Sequence, residues 1–168
     1  MTMMTAGLDT TRSALGYIMY YLANNDDARQ MLIDQPEKIP AAVEELIRMN
    51  NLIMQSGRLV TEDINFHGAE IKKGDVISLG IVQACRDPRK FEQPTEFNPD
   101  RPDLKDHLGW GAGPHRCIGM HLARHEIVIA VGEWLKRIPH WRVKEGAELT
   151  DRGVQLSLPT LPLEWSRA

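Results

Sequence analysis

Cysteine is scarce in this sequence, with Cys85 and Cys117 the only two. Two thiols so far apart make no secreted disulfide framework, and no Cys-x-x-Cys pair suggests a zinc site. A reducing compartment, the cytoplasm, is the expected setting. Long apolar runs are missing too: none reaches the ~18 residues of a membrane span, so no membrane is expected as a partner. The opening residues MTMMTAGLDT have neither the basic start nor the full apolar stretch of a signal peptide. A basic surplus is absent, since 20 Lys+Arg stand against 23 Asp+Glu, and nothing points to nucleic acid. No repeat, low-complexity tract or linker divides the 168 residues, which suffice for one domain with a real core.

What is present is helical periodicity, then short strands. Leu15, Ile18, Met19 and Leu22 recur at i, i+3, i+4 and i+7, an amphipathic helix stripe. No convincing cap precedes it, so the chain is expected to begin inside a helix, with most partners of the stripe outside these residues. Gly7, Asp9, Thr10 and Thr11 crowd into that helix, costing roughly 2–3 kcal/mol of propensity relative to alanines. Broken local rules inside a regular element mark functional sites. A frayed, exposed first turn is the plainer account.

Asn24-Asn25-Asp26-Asp27 should stop this helix and cap a short one through Leu32, and a third helix, AAVEELIRMN, follows Pro40. Residues 58–84 carry short β-prone runs with turns at Glu62-Asp63, His67-Gly68 and Lys73-Gly74, predicting a small antiparallel sheet. Pro88, Pro94, Pro99 and Pro102 keep 85–109 irregular. A last long helix runs from Met120 to near Pro139, and short strands follow around WRVKEG, VQLSL and LPLEW. The fold class is mainly α with small antiparallel β-sheets. In the third helix Glu45 and Arg48, three apart, share a face. Such a pair matters only if it is buried with further hydrogen bonds, and Arg101 in FNPDR is a candidate to add them.

The stretch WGAGPHRCIGMHLAR holds the other thiol. Gly111, Gly113 and Gly119 let a group approach the main chain, and Pro114 stiffens the loop. Cys117 falls at or just before a helix N-terminus, where free N–H groups and the helix dipole favour a thiolate. A thiolate there is a nucleophile or a metal ligand. A buried free cysteine is the bland alternative, against which the density of Gly and Pro counts. His121 and His125 share a helix face without a third ligand near in sequence, and read as solvated or packed.

Taken in order, these motifs resemble the C-terminal part of a cytochrome P450, a heme-thiolate monooxygenase, in the style of the soluble bacterial members. WGAGPHRCIG is similar to the F-G-x-G-x-H-x-C-x-G heme loop, with Trp110 for the usual Phe. AGLDTT is similar to the oxygen-activating segment of the long central helix, EELIR to the Glu-x-x-Arg pair, and FNPDR to the segment whose Arg101 completes a triad with that pair. The resemblance implies that residues 1–168 are the C-terminal, heme-binding portion of a single domain, beginning inside the central helix with the N-terminal part absent. It implies heme b as cofactor and Cys117 as the axial ligand to its iron, with loop N–H groups tuning the sulfur. Trp110 would pack on the heme, while Gly111, Gly113 and Gly119 shape the loop.

The same resemblance gives His115 and Arg58 the heme propionates. Ala6 and Gly7 would keep the oxygen side open. Thr10 would hold dioxygen and a water in a groove made by local opening of the helix, and Asp9 would relay protons. Glu45, Arg48 and Arg101 would form a buried structural triad supporting the heme loop. Leu52, Ile53 and Met54 become substrate contacts, and Cys85 a packing residue. The implied function inserts one oxygen atom from dioxygen into an apolar small-molecule substrate, with electrons from a ferredoxin-type donor and its reductase. The acid–alcohol pair Asp9–Thr10 argues against a peroxide-using relative. The alternative is a non-catalytic heme-binding remnant or truncated gene product, and the 168 residues alone are expected to lack turnover.

Overall fold

The apolar stripe near the start of the chain makes the helix that its spacing predicts. The computed structural model describes residues 2–151 and 155–165, and in it α1 runs unbroken over Thr2–Asn24. Ile18, Met19 and Leu22 are buried, and Leu15 packs beside them. Their partners come from this chain, which corrects the expectation that most would lie outside it. Helix α5 (Met120–Arg137) carries its own four-spaced stripe of Ile127, Val131 and Leu135 in the same core, and Trp141 donates its indole N–H to the Met19 carbonyl at 3.3 Å. Each such apolar side chain stabilises the fold by about 1.5–3 kcal/mol when fully buried.

Asn24 and Asn25 do end α1, but in the opposite sense to the one expected. Their amides donate back to the Tyr20 and Tyr21 carbonyls at 2.8 and 2.7 Å, closing the C-terminus of α1. The next helix, α2 (Asp26–Asp34), has no side-chain cap bond from its N-cap Asn25 and instead places Asp26 and Asp27 in its first turn, where the dipole favours them. Helix α3 (Ile39–Met49) follows, and every residue from Ala42 to Met49 is buried. Glu44, Glu45 and Arg48 are therefore carried inside, where a charge must be paired.

The β-prone region folds as two antiparallel pairs. Strand β1 (Gln55–Leu59) lies against β4 (Val76–Gly80), with Arg58 opposite Ile77. Strands β2 (Ile64–Phe66) and β3 (Ala69–Ile71) form a hairpin whose two turn residues, His67 and Gly68, have φ of 52° and 89°. Positive φ at both positions gives the turn the twist that its strands need. The short helix α4 (Ile81–Cys85) leads into the proline-rich stretch, which is irregular as predicted. Strand β5 (Trp141–Val143) pairs with β6 (Leu163–Trp165), so WRVKEG and LPLEW do supply strands. Of VQLSL, Val154 lies outside the described residues, and the rest forms no named strand: Gln155 makes an isolated bridge to Ile53, and the Leu156 N–H donates to the Leu52 carbonyl at 2.8 Å. Among the described residues no helix is long and apolar enough to cross a membrane.

Candidate functional site

Helix α1, the turn after α3, the β1–β4 pair and the loop before α5 enclose a cavity of about 630 Å³. Ala6 and Thr10 reach it from α1, Arg58 from β1, and Trp110, Gly111, His115 and Cys117 from the loop. The remaining wall is largely apolar, including Ile18, Leu46, Leu52, Ile53 and Leu79. Met54 is exposed and not among the lining residues, whereas its neighbours Leu52 and Ile53 are half-buried and line the cavity.

The loop is held in shape by its own backbone. The Cys117 N–H donates to the Trp110 carbonyl at 2.7 Å, and a 3₁₀ turn spans Gly113–His115. Gly111 adopts φ +72°, and a Cβ there would come 2.9 Å from the His115 carbonyl oxygen. Any side chain at 111 would both strain the backbone and push this turn aside. Gly113 also has positive φ, at +57°. A Cβ on Gly119 would lie 4.0 Å from Cys117 Sγ, an ordinary contact. Cys117 is exposed and precedes the N-cap of α5, as its sequence context predicts.

Between α3 and the proline-rich stretch, the structure brings Glu45, Arg48 and Arg101 together. Arg48 donates to both Glu45 oxygens at 2.7 and 2.8 Å and to the carbonyls of Cys85 and Pro94 at 2.7 and 2.9 Å. Arg101 Nε reaches Glu45 Oε1 at 3.3 Å, and its other nitrogens take the carbonyls of Glu92, Gln93 and Glu96. Asn98 adds its backbone N–H to Glu45 at 3.2 Å. The two arginines thereby pin the proline-rich stretch against α3. Cys85 is fully buried beside them, and burial raises its thiol pKa.

Several sequence-assigned residues stand apart from the cavity. Asp9 is exposed and lies 3.9 Å from Arg12, and Gly7 faces open space. Neither lines the cavity wall, nor do Gly113 and Gly119. The helix opening that the resemblance implied at Thr10 is not formed. Helix α1 continues through it, and the Thr10 hydroxyl donates to the Ala6 carbonyl at 2.5 Å. A hydroxyl bonded back to i−4 satisfies itself without breaking the turn. His121 and His125 are exposed, and among the described residues no group of three or more ligand-type side chains is placed to hold a bare metal ion.

Sequence reasoning passed over a second buried carboxylate. Glu44 accepts from His107 Nε2 at 2.9 Å, from the Trp110 indole at 3.0 Å and from two nitrogens of Arg124, Nε at 2.7 Å. The Gly109 N–H donates to His107 Nδ1 at 3.1 Å, which turns Nε2 toward Glu44. Burial pushes the Glu44 carboxyl up, but the hydrogen bonds from His107 and Arg124 and the charges of those two partners outweigh it, lowering the pKa from 4.5 to about 2. A depressed folded pKa stabilises the fold above the unfolded value and loses that contribution as pH falls through the folded one. Acid unfolding followed by circular dichroism should therefore draw on Glu44 between pH 4.5 and about 2. Glu44→Gln is expected to flatten that limb of the curve, and an unchanged slope would contradict the assignment. The available signal was the adjacent pair in AAVEELI, since two neighbouring glutamates in a helix this apolar cannot share one wet face.

A thiol on a glycine-shaped loop thus stands at the wall of a largely apolar cavity, with a long helix along another wall. The chain belongs to the Cytochrome P450 family, whose model matches residues 1–166. It is 42% identical over 164 residues to Probable cytochrome P450 127A1 of Sinorhizobium fredii, covering 97% of this chain and 39% of that protein. The solved Polyketide Synthase Cytochrome P450 PksS of Bacillus subtilis superposes with a TM-score of 0.93 at 36% identity, covering 99% of this chain and 44% of that one. An intact type IV self-sufficient cytochrome P450 monooxygenase gives 0.89 at 30% identity, covering 98% and 22%. The chain thus spans roughly two fifths of the length of the curated relatives it matches. Members of the family are heme-thiolate monooxygenases that bind organic substrates with dioxygen and draw electrons from a redox partner.

The residues present fit a heme. Cys117 offers a soft sulfur ligand at the cavity wall, and Arg58 and His115 at the same wall suit carboxylates. The cradle at Gly111 leaves no room for a side chain.

Proposed function

We propose that residues 1–168 serve as the heme-binding portion of a single-domain bacterial monooxygenase that inserts one oxygen atom of dioxygen into an apolar organic substrate. The observation that carries this reading is the placement of Cys117 and Thr10 on walls of one largely apolar cavity. A heme b held there supplies the activation of dioxygen. Cys117 holds it through sulfur from the loop, and Arg58 and His115 hold its carboxylates. Arg58 is at present bonded to Ser56 Oγ at 2.7 Å and to the Gly57 carbonyl at 2.8 Å, local contacts that a carboxylate would replace. Electrons come from a ferredoxin-type donor and its reductase, and the setting is cytoplasmic.

Thr10 gives its proton to Ala6, so the lone pairs of its hydroxyl remain free to accept a hydrogen bond from a water in the cavity. That makes it an anchor for a water at the oxygen side. Asp9, next to it and exposed, is placed to exchange protons with solvent once it leaves Arg12. Tyr17, one further polar group on the wall, donates to Asp151 in the segment after β5. The apolar remainder selects substrates by burial rather than by charge.

The test is Thr10→Ala in the heme-loaded protein with ferredoxin, reductase and an apolar substrate. Heme and substrate binding should persist, while product formed per electron falls severalfold and hydrogen peroxide rises to match. Unchanged coupling would remove Thr10 from the oxygen side.

A further inference from the structure

The Trp110 side chain carries a polar atom that the structure uses. Its indole N–H donates to Glu44 Oε1 at 3.0 Å, and its own backbone carbonyl accepts the Cys117 N–H at 2.7 Å. On the far side of Cys117, Arg124 sits in the second turn of α5 and donates through two nitrogens to the same carboxylate. Its guanidinium also lies 5.0 Å over the Trp110 ring. His107, just before the loop, completes the set at 2.9 Å. One carboxylate on α3 therefore gathers both flanks of the segment that presents Cys117.

We propose that Glu44 is a positioning residue for Cys117, acting through the Trp110 indole, whose ring the Arg124 guanidinium braces. Helix α3 is buried along its length from Ala42 to Met49, so the carboxylate is fixed to the most enclosed element of the fold. It transmits that position in two directions. The indole bond sets the side chain of Trp110 and, through the peptide at 110, the amide of Cys117. The two-nitrogen bond from Arg124 sets the first turns of α5, directly after Cys117 and Gly119. The stacked guanidinium and ring lock the two directions to each other. Glu45, its neighbour, faces Arg48 and Arg101 instead and ties α3 to the proline-rich stretch, so the two adjacent carboxylates divide two anchoring tasks. A carboxylate that merely stabilised the fold would change the unfolding midpoint. A positioning carboxylate also changes the electronic environment of the sulfur, and does so only where the indole N–H is present to carry it.

The inference rests on Cys117 ligating a heme, and its test separates the two claims. The heme-loaded protein is prepared with ¹⁵N-labelled tryptophan indoles and studied in the diamagnetic ferrous carbon-monoxide state. The Trp110 indole signal is the one lost in Trp110→Phe. It should exchange slowly with solvent, and Glu44→Gln should speed its exchange at least tenfold. Reduction potentials are then compared in a double-mutant cycle. Trp110→Phe and Glu44→Gln should each shift the potential, and the double variant should shift it no further than the larger single change. An indole that exchanges like an exposed one overturns the proposal, and so do shifts that simply add. Should Glu44→Gln fail to fold, Trp110→Phe alone decides, because it leaves the carboxylate with His107 and Arg124. An unchanged potential and ferric electron-paramagnetic spectrum in that variant then overturn the proposal. A parent protein without the red-shifted thiolate band overturns the ligand assignment and this inference together.

Discussion

Arg48→Ala is expected to destabilise the protein by about 3–5 kcal/mol, the effect of breaking a buried, hydrogen-bonded ion pair from one side. Its side chain is fully buried, and its guanidinium lies 5.1 Å over the Phe91 ring. Alanine there would leave the Glu45 carboxylate with the longer Arg101 contact at 3.3 Å and the Asn98 N–H, and would orphan the Cys85 and Pro94 carbonyls. Set against a total stability of about 5–15 kcal/mol, that loss threatens the fold itself. Denaturant unfolding of the heme-loaded protein should show a large drop in midpoint, with loss of heme and loss of helix coinciding. Arg48→Lys should fall between, since an ammonium keeps the charge but cannot bind both Glu45 oxygens and two carbonyls in one plane. A midpoint within error of the parent for Arg48→Ala would show that α3 does not depend on this pair.

How much of this was legible beforehand depends on the range of each interaction. The α1 stripe and the His67–Gly68 turn are written in neighbouring residues, by helical period in one case and tolerance of positive φ in the other. The Cys117 loop was legible because glycine and proline crowd around a single thiol, and the order of four motifs tied it to Thr10, Glu45 and Arg101. What the stripe packs against was not legible. Trp141 and Ile127 join it from the far end of the chain, and no local pattern announces such pairing. Asn25 was misjudged because an amide at a helix junction can serve either helix, and here it turned back to Tyr21. Gln155 and its neighbours have strand composition, and among the described residues they make bridges rather than a named strand. Glu44 was missed for the same reason of range, since its donors lie 63 to 80 positions away. The groove at Thr10 was expected from resemblance alone, and the continuous helix replaces it with a hydroxyl bonded to its own preceding turn.

Replacing Cys117 is expected to have the largest effect on chemistry of any single change. The chain has two thiols, and they occupy opposite environments. Cys85 is enclosed under α3, with its carbonyl taken by Arg48 and no opening to the cavity. Cys117 is exposed at the cavity wall, on a loop that its own backbone bond to Trp110 holds in place. A thiolate donates electron density to iron that a serine hydroxyl cannot, so Cys117→Ser should abolish monooxygenase turnover rather than reduce it. Cys85→Ser should retain turnover, at a modest loss of stability from burying a hydroxyl where a thiol packed.

The most direct measurement is the absorption spectrum of the reduced carbon-monoxide complex in three heme-loaded proteins: the parent, Cys85→Ser and Cys117→Ser. The red-shifted Soret band of thiolate ligation is expected in the first two and its loss in the third. A red-shifted band that survives in Cys117→Ser would contradict the ligand assignment.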